Sequence, residues 1–180
     1  MPYCDLLRMT MLLSAGAATI LAAITLVAAN RNDDTTTLLV AGGWWTIALI
    51  IGFVLGRPAR AAEAMRGAIA KARSQPMLPT DNPGRVALAR LWPLGAFALV
   101  AGGLGIVFPG VAAIGAGYGL AGALAWRSRE AAVHAIEERD GVRFYVEPGS
   151  ALEPVTLIRT PGLKRGRDPT ADPPLPPTSA

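Results

Sequence analysis

Three stretches of the chain contain no charged residue: Met9 to Ala29, Thr37 to Gly56, and Leu91 to Trp126. A helix rising 1.5 Å per residue needs roughly 20 apolar residues to cross about 30 Å of hydrocarbon. The first two stretches each provide one such length. The third is too long for one crossing and just long enough for two. Phe108-Pro109-Gly110 stands at its middle, and Pro-Gly is a strong turn signal. The pattern therefore predicts an all-α membrane protein with four transmembrane helices, over residues 9–29, 37–56, 91–108 and 111–126. The last two form a helical hairpin; one re-entrant segment over 91–126 is the alternative. Val27-Ala28-Ala29 resembles a signal-cleavage site. The apolar run before it exceeds the roughly 7–15 residues of a signal core, so a retained span is expected.

The segments between spans differ in kind. Asn30 to Asp34 is a short polar loop, whereas residues 57–90 form a basic linker. Within that linker Ala59 to Arg73 reads as an amphipathic helix, with Met65, Ile69 and Ala72 on one side and Arg60, Arg66, Lys71 and Arg73 around the other. Three prolines between Ser74 and Gly84 end it. After Trp126 the helix is expected to run on to Arg139 and stop at Asp140-Gly141. Val142 to Val146 alternates apolar and polar residues as a strand does, and Val155 to Thr160 is its expected partner. Residues 127–163 thus read as a small cytoplasmic helix-plus-β-hairpin extension. An isolated hairpin is marginal in water, so this one must lean on the membrane, the linker or another subunit. Residues 164–180 read as a disordered, proline-rich tail.

Charge orients this scheme. Of the 17 Lys and Arg residues, Arg31 alone falls in the first loop, and the Pro109-Gly110 turn has none. Four spans put leader, linker and tail on one side, and that side then holds every other positive charge. Basic loops stay in the cytoplasm, so both termini are expected there. The pI of about 9.8 is explained by this asymmetry and needs no nucleic-acid partner.

Candidate functional residues are few. Small residues recur at helical spacing: Ala48, Gly52 and Gly56; Gly95, Ala98, Gly102 and Gly105; and Ala112, Gly115, Gly119 and Gly122. Such faces let helix backbones approach closely where lipid removes the hydrophobic drive. Of these, Gly52, Gly56, Gly102, Gly105, Gly115 and Gly119 are the helix-packing candidates, within one bundle or between subunits of a homo-oligomer. Trp92 and Trp126, with Arg90 and Arg127, are expected at one membrane interface, the arginines snorkelling to headgroups. Of Trp44-Trp45, one is expected to face the packed interior and the other lipid. Glu130, His134 and Glu138 share a helix face, which ordinary side-chain pairing explains better than a metal. Cys4, the single cysteine, cannot form an internal disulfide; it is open to acylation, though a lone terminal cysteine is more often incidental. Two overlapping Pro-x-x-Pro patterns in the tail suit groove recognition.

No catalytic motif occurs and no cofactor is implied. The spans hold no carboxylate, histidine, lysine or arginine, the residues that ion and proton pathways normally require. The partners expected are the lipid bilayer, with anionic lipids drawn to the linker 57–90, and a protein partner or a second copy.

Ile136-Glu137-Glu138-Arg139-Asp140-Gly141-Val142-Arg143-Phe144-Tyr145-Val146-Glu147, with Leu157 to Gly162 after it, resembles small multi-pass membrane proteins of actinobacteria to which no activity is assigned. The Phe108-Pro109-Gly110 turn is similar to that of another group of small bacterial membrane proteins with Pro-Gly between two spans. The resemblance implies a bacterial plasma membrane. The reading is a four-span accessory or scaffold protein, not an enzyme; the alternative is a small oligomeric transporter or channel.

Overall fold

The computed structural model describes residues 1–57, 63, 67, 69, 72–74, 82–151, 153 and 155–161. Most of the linker, including most of its expected amphipathic helix, and the tail from residue 162 lie outside the described residues; Glu63, Gly67 and Ile69 are helical. The chain is mostly helical. In chain order it forms α1 (Tyr3–Arg31), α2 (Thr35–Leu55), β1 (Arg73–Ser74), α3 (Pro83–Val107), α4 (Pro109–Asp140), β2 (Val142–Val146) and β3 (Leu157–Pro161).

Local chemistry sets these boundaries. The α1–α2 loop turns through Asp33, whose φ of 49° lies in the left-handed region. Asp34 then caps α2, its carboxylate accepting from the Thr37 amide at 3.0 Å and from the Thr37 hydroxyl. Those two bonds hold its carboxyl below the usual range. Asn82 caps α3 in front of Pro83, and Phe108 separates α3 from α4, with Pro109 opening the latter. Gly141, at φ 61°, terminates α4 in a left-handed cap, and its amide donates to the Glu137 carbonyl. Three helices therefore outrun the expected spans. α1 starts in the leader, α3 starts two turns inside the expected linker, and α4 continues unbroken beyond Trp126.

By length and composition α1, α2 and α3 can each cross a membrane. Their surfaces are inverted relative to a water-soluble bundle. Buried positions in α1 include Thr10, Ser14, Ala18 and Thr25, while Leu12, Ile20, Leu26 and Val27 point outward. Leu39 (73% exposed), Phe53 (72%), Leu99 (78%) and Ile106 (75%) stand nearly free on α2 and α3. A water-soluble monomer rarely shows so much large apolar surface. The hydroxyls of Thr10, Thr19, Thr25 and Thr46 each donate to the carbonyl four residues back, at 2.8–3.0 Å, which satisfies them within their own helices.

α4 is the hub. It packs against α1, α2 and α3, whereas α1 and α2 touch each other little. Its inner positions are Ala112, Ala113, Gly115, Ala116 and Gly117, all buried. Leu21, Ala101, Ala112 and Ala116 form the mid-bundle core, flanked by Ala22, Ile24 and Trp45.

The other core lies at one end. β3 pairs antiparallel with β2, from Val142 opposite Pro161 to Val146 opposite Leu157, and parallel with β1. The sheet is thus three-stranded, in order β1-β3-β2, where a two-stranded hairpin was expected. The Val146 amide donates to the Met1 carbonyl at 2.9 Å, and Pro2 bridges Tyr145, so the N-terminus extends the sheet edge. Phe144, Val146 and Leu157 of the sheet, Met1, Leu6 and Leu7 of the leader, Val86 of α3 and Val133 of α4 share this core. Five chain segments, from the leader to the hairpin, meet at one end of the bundle, which is how the hairpin escapes marginal stability.

Candidate functional site

The surroundings of the packing glycines define the bundle interior. A methyl group built on Gly52 would lie 2.9 Å from Ala121 Cα and 3.1 Å from its carbonyl oxygen. On Gly56 it would lie 2.7 Å from Ser128 Oγ. These two, with buried Ala48, seat α2 on α4. A methyl group on Gly105 would collide with Ala112 Cβ, at the tight end of the α3–α4 hairpin. On Gly115 it would lie 2.9 Å from Leu21 Cδ1 and 3.3 Å from Ala101 Cβ, between α1 and α3. On Gly119 it would lie 2.9 Å from Ala18 Cβ and 3.0 Å from the Ser14 carbonyl oxygen, so this glycine faces α1. On Gly102 it would make ordinary contacts only, 3.6–3.7 Å from Ile24 and Leu21. Each close approach is within one chain.

Both tryptophans of the Trp44-Trp45 pair engage α4, which differs from the expectation that one faces lipid. Trp45 Nε1 donates to the Ala113 carbonyl at 2.9 Å, and Trp44 Nε1 to Ile114 at 3.3 Å. The Trp44 indole covers Gly117, where a methyl group would collide with Nε1, and it meets Tyr118 edge-on at 5.6 Å. The glycine makes room for an indole, and the indole N–H groups find acceptors inside an apolar layer.

The expected interfacial residues separate. Trp92 and Arg127 are exposed, the latter beside Gly56 and Ser128. Trp126 and Arg90 are half-buried at the folded end of the molecule. Arg129 lies over the Trp126 ring, 4.5 Å from its centroid. Arg90 donates from Nη1 to the Glu153 carbonyl at 3.2 Å and from Nη2 to the Glu147 carbonyl at 3.3 Å, while its Nε is buried without a partner. The strand connection thus supplies carbonyl acceptors that fix the Arg90 guanidinium in place.

Between these residues is a groove of about 500 Å³. Leu6, Leu7, Leu91 and Leu94 form its apolar part, and Tyr3, Trp126, Arg90, Arg129 and Glu153 its polar part. It lies where the uncharged runs of α1, α3 and α4 begin or end, at Met9, Leu91 and Trp126. Burial pushes the Tyr3 phenol up, and nearby Arg129 opposes that shift. The residues of this groove are scattered along the sequence, and no motif marks them.

Glu137 is a structural residue that sequence pattern does not expose. One carboxylate oxygen accepts from the Phe144 amide at 2.9 Å and the other from the Cys4 thiol at 3.5 Å, joining α4, β2 and the leader. Burial, then the Glu137 charge, pushes Cys4 up to about 12. His134 Nδ1 lies 3.6 Å from the Glu138 carboxylate on an exposed face, and Glu130 is not paired with either. Among the described residues no three of His, Cys, Asp or Glu converge as a metal site.

Compared with known proteins, the chain matches no family model, and no curated protein or solved structure is significantly similar to it.

Proposed function

We propose that the chain is a four-span protein of a bacterial plasma membrane, with both termini in the cytoplasm, acting as an accessory or scaffold component without enzymatic activity. The fourth span is the apolar half of α4, Pro109 to Trp126. Its alanine and glycine content gives it less hydropathy than the other three helices. As the hub of the bundle it touches helices more than lipid, so small size matters there more than lipophilicity. A helix returning from the Phe108 turn to the end that holds Met1 supports an even number of crossings.

One observation carries the accessory reading. Segments as far apart in the chain as Met1 and Leu157 build one module against one end of the bundle. That module displays charged helix and strand faces, while the bundle interior is filled by glycine, alanine and indole with no ionisable side chain. A rigid platform held at the membrane suits a protein partner better than a moving solute. The test is native purification in mild detergent with mass spectrometry, for wild type and for Phe144→Asp, which puts a charge in the module core. A partner retained by wild type and lost with the variant, whose bundle remains helical, is the expected result. Solute flux or conductance from the purified protein in liposomes would overturn it.

A further inference from the structure

We propose that the groove between α1, α3, α4 and the β2–β3 connection binds an anionic phospholipid of the adjoining leaflet, its phosphate at Arg129 and Arg90 and an acyl chain along Leu6, Leu7 and Leu94. The proposal rests on the four-span reading and names a ligand for the membrane-facing edge of the module. Charge complementarity is the first argument. Arg90 and Arg129 are both half-buried, and among the described residues neither is ion-paired. Arg90 is held by neutral carbonyls and Arg129 by an indole face, contacts that fix a guanidinium without neutralising it. Glu153 on the rim is exposed, and its carboxylate accepts from the Ser150 amide. Two cations without an ion pair among the described residues, set over an apolar floor, match a phosphate joined to a hydrocarbon chain.

Position is the second argument. All three helices reach the groove at the edge of their uncharged runs, the depth at which phospholipid phosphates lie. The apolar part continues into the span surfaces through Thr10, whose hydroxyl is turned back onto the Leu6 carbonyl and leaves no polar demand on a chain. A soluble phosphate ester would use the arginines but gain nothing from the leucines, so the occupant is a lipid.

The test uses the full chain, purified in neutral detergent, with phosphatidylglycerol or phosphatidylcholine added and bound lipid counted by native mass spectrometry. Phosphatidylglycerol is expected to bind preferentially. Arg129→Gln should weaken that binding by about fivefold or more, the scale of one basic contact near a membrane surface. Arg127→Gln, two residues away but exposed and outside the groove, should leave it unchanged. Equal losses in both variants would mean that diffuse surface charge is responsible, and would overturn the proposal. Leu94→Trp keeps both cations and fills the floor; phosphatidylglycerol retained by that variant would overturn it too. Glycerol 3-phosphate competing as well as the lipid would do the same. Wild type that stays in phosphatidylcholine vesicles through alkaline carbonate washing, yet shows no lipid preference, sinks this proposal alone. Wild type stripped from those vesicles sinks the membrane reading itself.

Discussion

Replacing Gly119 with alanine puts one methyl group into the seam between α1 and α4. That carbon would lie 2.9 Å from Ala18 Cβ, 3.0 Å from the Ser14 carbonyl oxygen and 3.3 Å from Ala18 Cα. Carbon contacts are most favourable at about 3.5–4.0 Å, and none of these neighbours can rotate away. The clash is relieved only by moving α1 outward by about 0.5–1 Å, which forfeits a quarter to a half of each well along the seam. Overpacking of this kind costs about 1–3 kcal/mol. Alanine returns up to about 1 kcal/mol through helix propensity, so the expected net loss is about 1–2 kcal/mol. Gly103→Ala is the control, because nothing lies within 4 Å of its methyl position. It gains the propensity and meets no clash. Thermal unfolding in mild detergent, followed by circular dichroism, should lower Tm for Gly119→Ala by about 2–8 °C and leave Gly103→Ala at or above wild type. Indistinguishable midpoints for the two variants would refute the packing argument.

Three further outcomes follow from the same geometry. Gly115→Leu with Gly119→Leu should destabilise strongly without changing oligomeric size, because both faces are filled by the chain's own α1 and α3; a folded but smaller species would instead place them between subunits. Trp45→Phe removes an indole bond of 2.9 Å to Ala113 and should cost about 0.5–1.5 kcal/mol in detergent unfolding, with Trp44→Phe costing less because its bond is 3.3 Å; the reverse order would contradict the docking described. The Cys4 thiol, raised from 9.0 to about 12, should alkylate at pH 8 about two orders of magnitude or more slower than a free thiol. Since folding favours its protonated form, that contribution is complete below about pH 9 and is lost as pH rises toward 12. Glu137→Gln should quicken the reaction only in part, because burial is the larger cause; a wild-type rate equal to that of a free thiol would refute it.

The helices were legible because lack of charge over a fixed length is a local signal, and the Phe108-Pro109-Gly110 turn and the Gly141 stop are local as well. The hub role of α4 was less so. Its glycines announce close packing, but which neighbour each one meets depends on the bundle, and Gly119 turned to α1 rather than to its hairpin partner. The partners of Arg90 and Trp126 are long-range for a related reason: the β2–β3 connection supplies carbonyls at 3.2–3.3 Å to Arg90, and Arg129 covers the Trp126 indole. β1 is two residues long and pairs with β3 across a large sequence separation, so no period reveals it. Glu137 joins the leader and β2 through contacts to residues 133 and 7 positions away, so no local pattern singles it out.

The central claim is that the chain crosses the membrane an even number of times with its module on the cytoplasmic side. Fusions to a reporter active only outside the cytoplasm test it most directly. Signal is predicted for fusions at Asp33 and Pro109, which lie at the end of the bundle away from the module, and none at Arg73 or Ala180. Activity at Ala180 would contradict the even-span account.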